Sequence, residues 1–177
     1  MLGFLLIVEI GISAGRIHYG VEVRGGLDIG GMTPAEADEV MTERTELMLS
    51  EPIVLEGPGV TVRFYPQQPE GVTTDVLVAG WAPGRPATIE AALAVGRKNA
   101  PFGALADRWR AWVGGVKIGW RGHPLPRRVK QIIDTVEELG EEQGLTLDRV
   151  ALRLKIRRVL NTWPRRDAYR IPFTTGA

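Results

Sequence analysis

The chain has no cysteine, which excludes disulfides, thiolate metal sites and a cysteine nucleophile. Histidine is almost as scarce. His18 and His123 are the two in 177 residues, and neither sits in H-E-x-x-H or near a second ligand at helical spacing. Both read as surface or loop histidines, and the residues imply no metal or cofactor. The formal net charge is only +1, which argues against a purely electrostatic role. Phosphate cradles are missing too: there is no G-x-x-x-x-G-K-[ST], and Gly25, Gly26, Gly30 and Gly31 do not form G-x-G-x-x-G. Those glycines read as turn residues.

Long apolar runs are also lacking. Met1–Ala14, MLGFLLIVEIGISA, is apolar except for Glu9, but falls short of the roughly 20 residues needed to span a bilayer. It carries no basic n-region of the signal-peptide kind. Three readings compete: the end of a signal anchor whose start lies upstream, a cut signal segment, or a buried first element. Gly11–Gly15 matches G-x-S-x-G, but ten residues cannot supply the sheet that a nucleophile elbow needs before it, so the match is read as chance.

What is present is globular in composition, 44% apolar and 24% charged, enough to bury a core. The charge is uneven. Residues 1–80 hold 4 Lys/Arg against 12 Asp/Glu, whereas residues 97–130 hold 9 Lys/Arg against Asp107 alone. Packing of the two parts together, or simple solvation, accounts for such a pattern.

The most informative stretch is RIHYGVEVRGGLDIGGMTPAEADEVMTERTE, Arg16 to Glu46. Alternation at Val21 and Val23 predicts a strand, and Leu27–Ile29 a second short one. Thr33, Pro34 and Glu36 then form an N-cap, a first-turn proline and a T-x-x-E capping box. Ala37, Val40, Met41, Leu47 and Met48 continue as one apolar helix face. Pro52–Leu55 and Val60–Phe64 read as strands joined at Glu56–Gly59, Gly71–Val78 as extended, and Trp81–Pro86 as a loop. Thr88 is a candidate cap for a helix ending near Gly96. Ala104–Trp112 fits helix or strand, and Val116–Ile118 a strand. Leu125–Leu139 is a second strong amphipathic helix with Gly140 as C′ residue, its cations first and its acids last, against the helix dipole. Ala151–Val159 alternates at Leu152, Leu154 and Ile156, which favours a half-exposed strand with helix as the alternative. Two helix-then-strand units suggest a degenerate repeat, without residue-level similarity to support it.

GRIHYGVEVRGGLDIGGMTPAEADEVM resembles the opening of the peptidoglycan-binding domain that precedes VanW-like domains and some L,D-transpeptidase domains in cell-wall proteins. Ile17, Gly20, Val21, Val23, Gly30, Gly31, Thr33, Glu36 and Ala37 carry the likeness, and TIEAALAVGRKNAPFG (Thr88–Gly103) resembles that family's helix end. The likeness covers Gly15–Gly103, and its motifs are structural. It implies a membrane anchor just upstream, an extracytoplasmic or wall-associated setting, and peptidoglycan or an anionic wall polymer as partner. The transpeptidase signature needs a reactive cysteine, which this chain lacks.

The candidate ligand surface is Arg108–Arg121, where Trp109, Trp112 and Trp120 lie among Arg108, Arg110, Lys117 and Arg121. Tryptophan faces stack on sugar rings, and cations pair with carboxylates or phosphates. The same composition would serve single-stranded nucleic acid, a disfavoured reading, and buried tryptophans edged by solvated cations are the plain structural alternative. The sequence therefore predicts an α+β protein with two main amphipathic helices on short, mostly antiparallel strands. Its segments are an anchor remnant (1–14), a peptidoglycan-binding-like module (15–120) and a helix–strand extension (121–177). Its expected function is a non-catalytic wall-associated binding or spacer module. The alternative is an accessory or regulatory part of a VanW-like or L,D-transpeptidase enzyme whose catalytic domain lies elsewhere.

Overall fold

The capping box forms as its spacing dictates. In the computed structural model, which describes residues 15–71, 76–97 and 113–175, the Thr33 N–H donates to Glu36 Oε2 at 2.7 Å, and the Glu36 N–H donates to Thr33 Oγ1 at 3.3 Å. Two N–H groups that a helix start leaves without partners are thereby satisfied, and helix α1 runs Pro34–Ser50. Ahead of it, β1 (Val21–Val23) and β2 (Leu27–Asp28) pair antiparallel. Gly30 and Gly31 bring the chain back against residues 19 and 20. A Cβ on Gly30 would lie 2.9 Å from the Gly20 nitrogen, and Gly31, at φ +78°, would meet the Tyr19 ring at 2.6 Å. Only glycine fits there without strain.

The remaining elements are β3 (Ile53–Gly57), β4 (Val60–Tyr65), β5 (Leu77–Val78), α2 (Arg85–Leu93), β6 (Val116–Ile118), α3 (Pro126–Glu141), β7 (Leu145–Leu147), α4 (Arg149–Leu160), β8 (Tyr169–Arg170) and β9 (Phe173–Thr175). The protein is α+β. Its described strands form sheets ordered β2-β1-β6, β5-β4-β3-β8 and β7-β9. The sheets are mixed: β1–β6, β3–β8 and β4–β5 are parallel, and β1–β2, β3–β4 and β7–β9 are antiparallel. Each parallel pair joins strands far apart in sequence or separated by a non-hairpin crossing, which short-range turn signals do not reveal.

The chain forms two interleaved compact units. One contains the residues up to Glu43 with Gly84–Arg121, and the other Arg44–Pro83 with the chain from Gly122. Along the sequence the chain passes between them at 43/44, 83/84 and 121/122. The first unit buries Ile17, Val21, Val23, Ile29, Ala37 and Met41. The second buries alternate residues of the β3–β4 hairpin (Ile53, Leu55, Val62, Phe64) with Ile132, Ile133 and Val136 of α3. Each of these Val, Ile, Leu, Met and Phe side chains contributes roughly 1.5–3 kcal/mol.

Three local expectations are corrected. Residues 149–160 form a helix, capped by Asp148, whose side chain accepts from the Ala151 N–H. Leu152, Ile156, Val159 and Leu160 are buried, at spacings of four, seven and eight, whereas Leu154 is 60% exposed, so the helical period wins over the alternation. Thr88 is the fourth residue of α2 and does not cap it. Pro86 occupies the first turn and Gly84 is the N-cap residue, while Thr88 Oγ1 donates to the Gly84 carbonyl and accepts from the Arg121 N–H. Gly140 lies within α3. A Cβ there would be 2.5 Å from the Phe173 ring, so its missing side chain makes room for β9.

Candidate functional site

Of the residues singled out in 108–121, Arg108, Trp109, Arg110 and Trp112 lie outside the described residues, as does the 1–14 segment. Lys117 projects from β6 and pairs with Glu22 at 3.7 Å. Arg121 is exposed. Trp120 is only 6% exposed and belongs to the core of its unit, so its ring offers no stacking face. The aromatic part of that reading is corrected at Trp120, because the ring follows Ile118 into the interior. Among the described residues no cluster of His, Asp or Glu is arranged to hold a metal ion, and no helix is long and apolar enough to cross a membrane.

A different surface stands out in the second unit. The N-terminal turn of α3, the outer face of α4 and the 122–125 loop enclose a groove of about 880 Å³. Its floor is mainly apolar (Ala82, Pro124, Leu125 and Val129), and Arg127, Lys130, Arg153 and Arg157 edge it. The loop wall is fixed by backbone pairing. Ala82 and His123 exchange two N–H···O bonds of 2.9 Å, and the Leu125 N–H donates to the Ala79 carbonyl at 3.1 Å. Beneath it Trp81 is fully buried, and its Nε1 has no hydrogen-bond partner.

The charge state of the groove follows from which cations are already engaged. Lys130 Nζ lies 2.7 Å from Asp134 Oδ2. Arg149 at the start of α4 reaches back to Asp134 Oδ1 at 2.6 Å and also pairs with Glu137. The hydrogen bond from Lys130, then that from Arg149, holds the Asp134 carboxyl below the usual range, and Asp134 in turn raises the Arg149 guanidinium. Of the acids that ran against the α3 dipole, Glu137 thus meets a cation at the start of α4. Arg127, Arg153 and Arg157, by contrast, have guanidinium groups with no hydrogen bond or ion pair to another described residue. Three uncompensated forks therefore surround an apolar floor, an arrangement suited to a carboxylate or phosphate.

Sequence reading missed this site because its parts are 82, 123–130 and 153–157. One signal pointed to it: cations crowded at the start of α3, where the helix dipole disfavours them. Positions 150, 153, 154 and 157 also become one exposed stripe once the segment is helical.

No family model, curated protein or solved structure matches this chain.

Proposed function

We propose that the chain is a non-catalytic binding module of the cell envelope, displayed outside the cytoplasm, whose ligand is an anionic, carboxylate- or phosphate-bearing component of the wall. The observation that carries the reading is the trio Arg127, Arg153 and Arg157, held on two helices around an apolar floor without acidic partners among the described residues. Charged groups converging on an apolar concavity are the usual mark of a binding site. The wall setting is supported by the sequence likeness over Gly15–Gly103. Within that stretch, the Gly30–Gly31 turn and the Thr33–Glu36 capping box adopt the local structure their motif requires.

The full chain is expected to pellet with purified cell-wall sacculi at low salt, and less so as salt rises, because exposed charges are screened beyond about 8 Å at physiological ionic strength. A folded chain that stays in the supernatant at low salt would contradict the proposal.

A further inference from the structure

The groove's chemistry is more selective than its charge alone. A hydrophilic polyanion or a free phosphate would engage the arginines but leave Leu125 and the half-buried Pro124 uncovered. An uncharged hydrocarbon would cover that floor yet leave three guanidinium forks beside it unanswered. Leu125 is 56% exposed, an unusual position for a large apolar side chain next to Arg127. On α4, Val150 and Leu154 are likewise 68% and 60% exposed, on the stripe that carries Arg153 and Arg157. Along α4, apolar and cationic residues thus share one exposed stripe, and Arg153 and Arg157 are its members that line the groove. At about 880 Å³ the groove falls within the range of small-molecule sites, roughly 300–1,000 Å³.

Building on the proposed binding role, we infer that the groove takes a single anionic amphiphile: a hydrocarbon chain bearing a phosphate or carboxylate head. The head sits between Arg127, Arg153 and Arg157, where bidentate pairing is available. The chain lies over Leu125, Pro124 and Ala82, displacing water from exposed apolar surface. The occupant is a monomer, because the groove is concave and of small-molecule size.

The test is a chain-length series of hexyl, octyl and decyl phosphate, titrated below their micelle-forming concentrations into the full chain and followed by calorimetry. Inorganic phosphate and an uncharged octyl glycoside serve as controls. One-to-one binding is expected, tightening roughly threefold to fourfold for each methylene that becomes buried, with both controls at least about tenfold weaker than octyl phosphate. Leu125→Asn should flatten the length series. It leaves α3 folded, since asparagine suits the N-cap position that Leu125 occupies. Arg153→Gln with Arg157→Gln should lower affinity for every member while preserving the dependence on length. Equal affinity across the series, inorganic phosphate included, would overturn the inference, as would equal binding of the uncharged glycoside. Binding to anionic vesicles without binding of monomers would also overturn it, in favour of a membrane surface. Sacculus pelleting that persists with no amphiphile binding removes this inference and leaves the proposed function standing, whereas loss of both removes both.

Discussion

Asn161 holds the backbone of Gly122 with both ends of its amide: Oδ1 accepts from the Gly122 N–H at 2.9 Å, and Nδ2 donates to the Gly122 carbonyl at 3.3 Å. Asn161 is the C-cap residue of α4, and Gly122 opens the loop that walls the groove. The clasp therefore fixes that loop to the end of the helix bearing Arg153 and Arg157. Gly122 is confined from its other side, since a Cβ there would lie 2.1 Å from Trp81 Nε1.

Asn161→Ala is expected to cost about 1–3 kcal/mol in urea melts, because it leaves two part-buried backbone groups without partners. Gly122→Ala should cost a similar 1–3 kcal/mol or more by overpacking the fully buried Trp81. A loss below about 0.5 kcal/mol at both sites would mean that the loop is not held this way.

The start of α1 gives a paired test. Thr33→Ala removes the acceptor for the Glu36 N–H and should cost on the order of 1 kcal/mol. Thr42 donates to the Asp38 carbonyl at 2.7 Å within the helix, and Thr42→Ala should cost much less or stabilise, alanine having the better helix propensity. Equal losses would place the helix start elsewhere.

These two regions differ in how much the chain itself reveals. The capping box, Gly30–Gly31 and the β3–β4 hairpin are set by residues within a few positions of one another, so their spacing discloses them. The identity of 149–160 was not settled locally. Leu152, Leu154 and Ile156 satisfy a period of two, and the decision for helix comes from the Asp148 cap together with burial of Val159 and Leu160. The groove is less legible still. Its floor and rim come from three separated segments, and its charge depends on Arg149, rather than Arg153 or Arg157, being the residue that neutralises Asp134 and Glu137.

The period of α4 can be checked directly. Ile156→Ala should cost about 2–5 kcal/mol, as expected for a fully buried aliphatic side chain, while Leu154→Ala, 60% exposed, should cost little. In a strand the two would share one face, so comparable losses would contradict the helix.

Acid sensitivity follows from Glu36. Hydrogen bonds from the Thr33 backbone and side chain, and then the nearby Arg16, hold its carboxyl below the usual range. A depressed folded-state pKa stabilises the fold above the unfolded-state value and ceases to do so as pH falls through the folded one. Stability should therefore decline on acidification below about pH 4.5. Glu36→Gln keeps a capping-box side chain but cannot titrate, so it should reduce the steepness of that decline in denaturant melts at stepped pH. An unchanged acid limb would assign the effect to other carboxylates.

The most direct test of the binding account compares two sets of charge-neutral variants in the sacculus pelleting assay at low salt, with circular dichroism confirming that each is folded. The first set is Arg127→Gln, Arg153→Gln and Arg157→Gln combined, which empties the groove of its uncompensated cations. The second is Lys117→Gln with Arg121→Gln, on the first unit. The groove triple variant is predicted to lose at least about tenfold in apparent affinity, as expected when several charge-assisted contacts are removed, while the Lys117/Arg121 variant pellets like the unmodified chain. Loss confined to the Lys117/Arg121 variant, with the triple variant unchanged, would contradict the account and place the ligand face in the first unit.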